Sequence, residues 1–95
     1  MLLNEIHRKK EAILNIAKQY QANNIRVFGS TARGEEKENS DIDFLVSFQP
    51  GASLFDQAGL MIELEKILGK NVDVVSDRAL NQYIRDKILK EAVPI

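Results

Sequence analysis

Cysteine and tryptophan are absent from the 95 residues, and histidine occurs once, at His7. Without cysteine there is no disulfide and no thiolate, and one histidine cannot complete a zinc site. The metal donors left in quantity are carboxylates, whose hard oxygens favour Mg²⁺ or Mn²⁺ over zinc. An excess of one charge is also lacking: 13 Lys and Arg stand against 14 Asp and Glu, a net charge of −1. Stable nucleic-acid binding is therefore not expected, since it usually needs a basic face to neutralise phosphates. No apolar run is long enough to cross a bilayer, so no membrane partner is expected. The start, Met1-Leu2-Leu3-Asn4-Glu5, lacks the basic region and apolar stretch of a signal peptide, which points to a cytoplasmic location.

What is present is ordinary for a soluble domain: 44% hydrophobic and 28% charged residues. The length suits one core, so residues 1–95 read as one domain. Leu3, Ile6, Ile13, Ala17 and Tyr20 recur at helical spacing and predict an amphipathic helix over Leu3 to Gln21, with Asn23 and Asn24 suited to its exit. Ile25 to Phe28 is β-prone and Gly29-Ser30 breaks it; a helical turn and an exposed loop follow, to Ser40. Asp41 to Val46 reads as a second strand with Asp41, Asp43 and Leu45 on one face and Ile42, Phe44 and Val46 on the other. Ser53 and Asp56 form a capping-box pattern before a helix striped by Leu54, Ala58, Met61, Leu64 and Leu68 and stopped by Gly69. Asn71 to Val75 reads as a third strand. Ser76 or Asp77 would cap a last helix with Leu80, Ile84 and Ile88 inward, which Pro94 prevents from continuing. The expected architecture is α/β or α+β, with helices covering a small mixed sheet.

Three groups of residues carry chemistry. Gly29-Ser30 follows a strand directly, where a glycine lets backbone N–H groups approach a phosphate and the next helical turn faces it. The Ser30 hydroxyl adds a donor, and Arg33, one turn further on, can reach the same triphosphate. Asp41 and Asp43, at i and i+2 of a strand, share one face with Cα atoms about 6.6 Å apart. Such a pair can hold two cations about 3.5–4 Å apart, the arrangement used for in-line phosphoryl displacement. Asp73 sits among valines, and a buried carboxylate there would need either a metal or a salt bridge.

Together, Val27-Phe28-Gly29-Ser30-Thr31-Ala32-Arg33-Gly34 and Asn39-Ser40-Asp41-Ile42-Asp43-Phe44-Leu45-Val46, with Asn71-Val72-Asp73-Val74-Val75, closely resemble the signature of the polymerase-β-like nucleotidyltransferase superfamily. The resemblance covers nearly the whole chain. It implies that fold, two Mg²⁺ ions (or Mn²⁺) on Asp41, Asp43 and Asp73 as metal-binding and catalytic residues, and ATP held through Gly29, Ser30 and Arg33. The short length further resembles minimal nucleotidyltransferases, the antitoxins of toxin–antitoxin pairs with HEPN-domain toxins. That likeness implies AMP transfer from ATP to a tyrosine hydroxyl of a HEPN-domain toxin.

Other readings are an antitoxin that neutralises by binding alone and a small-molecule, antibiotic-type nucleotidyltransferase. The intact aspartate set speaks against the first. A phosphatase of the haloacid-dehalogenase class also uses Asp-x-Asp, but there the pair follows a buried apolar strand. Here it follows a polar loop and begins one.

Overall fold

The computed structural model describes residues 2–95. The order is α1 (Leu2–Arg8), α2 (Lys10–Gln19), β1 (Ala22–Phe28), α3 (Gly29–Arg33), β2 (Ile42–Phe48), α4 (Leu54–Leu68), β3 (Val72–Ser76), a 3-10 turn (Asp77–Ala79), α5 (Gln82–Glu91) and β4 (Val93–Pro94). The strands form one sheet in the order β3-β2-β1-β4. β1 pairs antiparallel with both β2 and β4, whereas β2 and β3 are parallel. The sheet is therefore mixed, as expected.

Alternation along the strands builds the core. Ile25 and Val27 of β1, Ile42, Phe44 and Val46 of β2, and Val72 and Val74 of β3 are buried in one cluster. Ile6, Ile13 and Ala17 of the N-terminal helices and Leu60 and Leu64 of α4 complete it. The packing of α2 against α4 is close enough that a Cβ on Gly59 would collide with the Tyr20 ring. A glycine inside a helix costs about 1 kcal/mol in propensity; here it makes room for an aromatic side chain.

Several local expectations need correction. The first helix is broken at Lys9, whose N–H reaches both Glu5 and Ile6 carbonyls. Its exit is made by Gln21, at φ 60°, and not by Asn23 or Asn24, which lie in β1. There the register with β2 shifts between Ala22 and Asn24, a bulge that leaves two consecutive residues exposed. The capping box at Ser53 and Asp56 and the stop at Gly69 are present. The buried side of α4, however, is Leu60 and Leu64, while Leu54 is 81% exposed and Ala58 also faces solvent. The expected stripe holds at Leu64, with Met61 and Leu68 packed against the core, and fails only at its first two positions, Leu54 and Ala58, with Leu60 buried in their stead. Ser76 caps only the 3-10 turn, and Asn81 caps α5 through bonds from Tyr83 and Ile84 N–H. No residue of α5 is buried; Ile84 is 44% exposed. Pro94 lies in a short strand, β4, absent from the sequence reading. Its missing N–H is tolerated at an edge.

Candidate active site

The strand register brings the three groups to one end of the sheet. Asp43 of β2 lies opposite Phe28 of antiparallel β1 and opposite Asp73 of parallel β3. The row across the sheet reads Asp73, Asp43, Phe28, and Gly29 follows directly at the start of α3. A Cβ on Gly29 would collide with the Asp43 carboxylate, and its φ of 72° lies in the left-handed region that favours glycine. Both observations give the same reason for glycine at this position.

Asp41 stands just before β2, exposed, at the end of a loop. That loop is closed by reciprocal bonds: Lys37 N–H donates to Ser40 Oγ at 2.8 Å and Ser40 N–H to the Lys37 carbonyl at 2.9 Å. Ile42 N–H then donates to the Asn71 carbonyl at 3.0 Å, tying the start of β2 to the start of β3. Asp41, Asp43 and Asp73 are thereby held at neighbouring strand starts. A polar cleft of about 470 Å³ opens beside Asp41, lined by Ser40, Asp41, Glu65, Lys70 and Asn71 among others; Asp43, Asp73, Gly29 and Arg33 do not line it.

Asp73 corrects an expectation. It is exposed, on the face of β3 opposite Val72 and Val74, so no burial penalty demands a partner. The electrostatic strain falls on Asp43. Partial burial raises its pKa above the ordinary aspartate value, and the charges of Asp73, Asp41 and Glu91 raise it further against the pull of Arg33.

A divalent cation fits this donor set. The donors are all carboxylate oxygens, and a cation would relieve the repulsion concentrated on Asp43. Among the described residues, no three acidic or histidine side chains form a ready-made metal cluster.

Gly29 and Arg33 do more than lie near one another, because both grip an anion. Glu91 Oε2 accepts the Gly29 N–H at 2.7 Å, and its Oε1 accepts Arg33 Nη1–H at 2.8 Å. Burial alone would raise the Glu91 pKa, but the bonds from Arg33 and Gly29 outweigh it and hold the carboxyl below its ordinary value. Ser30 is half-buried beside them. Glu91 was missed in the sequence reading. Its one signal is an acidic residue at the last position of a helix, where the macrodipole disfavours negative charge.

Comparison with known proteins bears on the family and the fold. The family model described as polymerase beta nucleotidyltransferase matches residues 11–95. A Methanocaldococcus jannaschii protein, provisionally named a protein adenylyltransferase, is 45% identical over 95 residues, covering 100% of this chain and 99% of its own length. The solved structure of a provisionally named minimal nucleotidyltransferase superposes with a TM-score of 0.89 at 44% identity, covering 100% of this chain and 97% of that one. An antitoxin crystallised with the tri-AMPylated HEPN toxin of Shewanella oneidensis shares the fold alone, with a TM-score of 0.68 at 18% identity over 93% of this chain and 69% of that one.

Proposed function

The chain belongs to the polymerase-β nucleotidyltransferase family, and from that premise we propose that it transfers AMP from ATP to a hydroxyl of a partner protein. The observation that carries the reading is the meeting, at one strand end, of an anion-gripping pair, Gly29 and Arg33, with the facing carboxylates Asp43 and Asp73. Gly29 N–H, the Ser30 hydroxyl and Arg33 would hold the triphosphate. Asp41, Asp43 and Asp73 would hold Mg²⁺, two ions in the two-metal arrangement. When bound, the metal neutralises charge on the phosphates and lowers the pKa of the attacking hydroxyl. The acceptor oxygen bonds to the α-phosphorus as the bond to pyrophosphate breaks. Asp73 would take part in removing the hydroxyl proton.

Residues 1–95 act as one catalytic domain in this reading, and the acceptor comes from outside. Asp41 and Asp73 are exposed, which suits a side chain delivered on a protein surface better than a small molecule needing enclosure. A tyrosine of a HEPN-type toxin is the acceptor implied by the resemblance to minimal nucleotidyltransferases. Its adenylylation would make this chain the antitoxin.

The test combines the purified chain, ATP, Mg²⁺ and its HEPN-type partner, read by intact-mass spectrometry and by the partner's RNase activity. The expected result is a mass gain of one or more adenylyl groups together with silencing, both lost in Asp43→Asn and in Asp41→Asn. Full silencing with an unchanged partner mass would replace the enzyme by an antitoxin that works through binding alone.

A further inference from the structure

The two donors assigned to the nucleotide phosphates are already engaged by a carboxylate of this chain. Glu91 satisfies the Gly29 N–H with one oxygen and the Arg33 guanidinium with the other. A carboxylate offers these donors what a phosphate edge does, namely two oxygens sharing negative charge. We propose that Glu91 is a built-in occupant of the phosphate position, so that ATP binds only when Glu91 lets go of Gly29 and Arg33. The proposal rests on the reading that this pair binds nucleotide.

Its placement follows from the fold. β4 pairs Val93 with Val27 and Pro94 with Arg26, which pins the end of α5 beside the end of β1, where Gly29 lies. The Glu91 side chain is 19% exposed, so it is seated in the site and not merely near it. The helix that carries it, by contrast, has no buried residue, and its Tyr83 is 96% exposed. The Glu91 side chain can therefore turn away without opening the core, while β4 and the buried Ile95 keep the end of α5 in place. Lys87, one helical turn earlier, offers the released carboxylate another cation. While seated, Glu91 also adds its charge to those that bear on Asp43. Its departure as the triphosphate arrives would keep two anions from sharing one small site. The apparent affinity for ATP is thereby reduced by the fraction of molecules in which the position is taken.

Calorimetric titration of ATP with Mg²⁺ into the wild type and four variants tests this, with thermal melts to verify folding. Glu91→Gln should bind ATP about tenfold more tightly than the wild type, the scale expected when a charge-assisted competitor is removed. Glu91→Asp, one methylene shorter and still charged, should also bind more tightly, and it keeps the test alive if the glutamine variant folds poorly. Asp86→Asn, which removes a charge from an exposed position of the same helix, should leave affinity unchanged. Arg33→Ala should weaken it. If Arg33→Ala weakens binding while neither Glu91 variant tightens it, Glu91 supports the site and the proposal is overturned. Equal tightening by Asp86→Asn would also overturn it, since the effect would then be one of general charge. If Arg33→Ala changes nothing, the nucleotide-site reading itself falls, and this proposal with it.

Discussion

On the face of the sheet covered by α2 and α4, Val27, Ile42, Phe44 and Val46 are fully buried and uncharged. On the other face, β2 and β3 present Asp43 and Asp73 near their starts, with Arg33 and Glu91 alongside. The second face is not open throughout, because Leu45, two residues beyond Asp43, is itself buried. One strand thus passes from a strained carboxylate to core within two residues. The contrast shows where stability and chemistry reside. Apolar contacts hold β2 firmly enough that its first turn outward can carry a charge the fold would otherwise reject.

The largest effect should come from the covered face. Phe44→Ala removes the central side chain of the core and should destabilise the protein by about 3–5 kcal/mol in denaturant unfolding. A loss below about 1 kcal/mol would mean that the two faces are not so unequal as the burial implies.

Asp43→Asn should do the reverse, abolishing transfer while raising the melting temperature of the ligand-free protein by a few degrees. The sign follows from the raised pKa. The folded state disfavours the ionised Asp43, so its cost is absent below the unfolded aspartate pKa and grows as pH rises through the folded one. Glu91 has the opposite slope: its lowered pKa gives stability that is present above the unfolded glutamate pKa and lost as pH falls through the folded one. Melts across the acid range, with and without Asp43→Asn, separate the two. A drop in melting temperature at neutral pH would show that Asp43 supports the fold in the absence of ligand.

The smallest effect should be that of Tyr83→Ala on exposed α5, within about 0.5 kcal/mol of the wild type. A larger loss would show that α5 is held more firmly than its exposure indicates.

The Gly29 to Arg33 and Asp41 to Asp43 segments were legible because their chemistry is local. A glycine turn, a cation one helical turn on and two carboxylates two residues apart at a strand start are set by spacing within a few residues, although β2 begins at Ile42 and leaves Asp41 in the loop. The α4 capping box was legible for the same reason. The inward face of α4 was legible only in its second half, at Met61, Leu64 and Leu68. Leu54, Phe55 and Ile62 are as apolar as Leu60 and Leu64, and only the packing of α4 against the rest of the fold decides which are covered. Likewise Val93-Pro94 reads as a helix terminator until β1 is there to pair with it.

By itself the sequence determined the donor types: carboxylates alone for a cation, and glycine, serine and arginine for a phosphate, since side-chain chemistry needs no neighbours to define it. It also determined the strand alternation that turns Asp43 away from Phe44. Only the tertiary structure decided that Asp73 lies opposite Asp43, because strand order and register depend on contacts between residues distant in the chain. Only it seated Glu91 on Gly29 and Arg33, a meeting across 62 and 58 residues that no local pattern encodes. It also decided that Asp73, flanked by valines, is exposed, because one face of β3 meets α4 and the other is left to solvent.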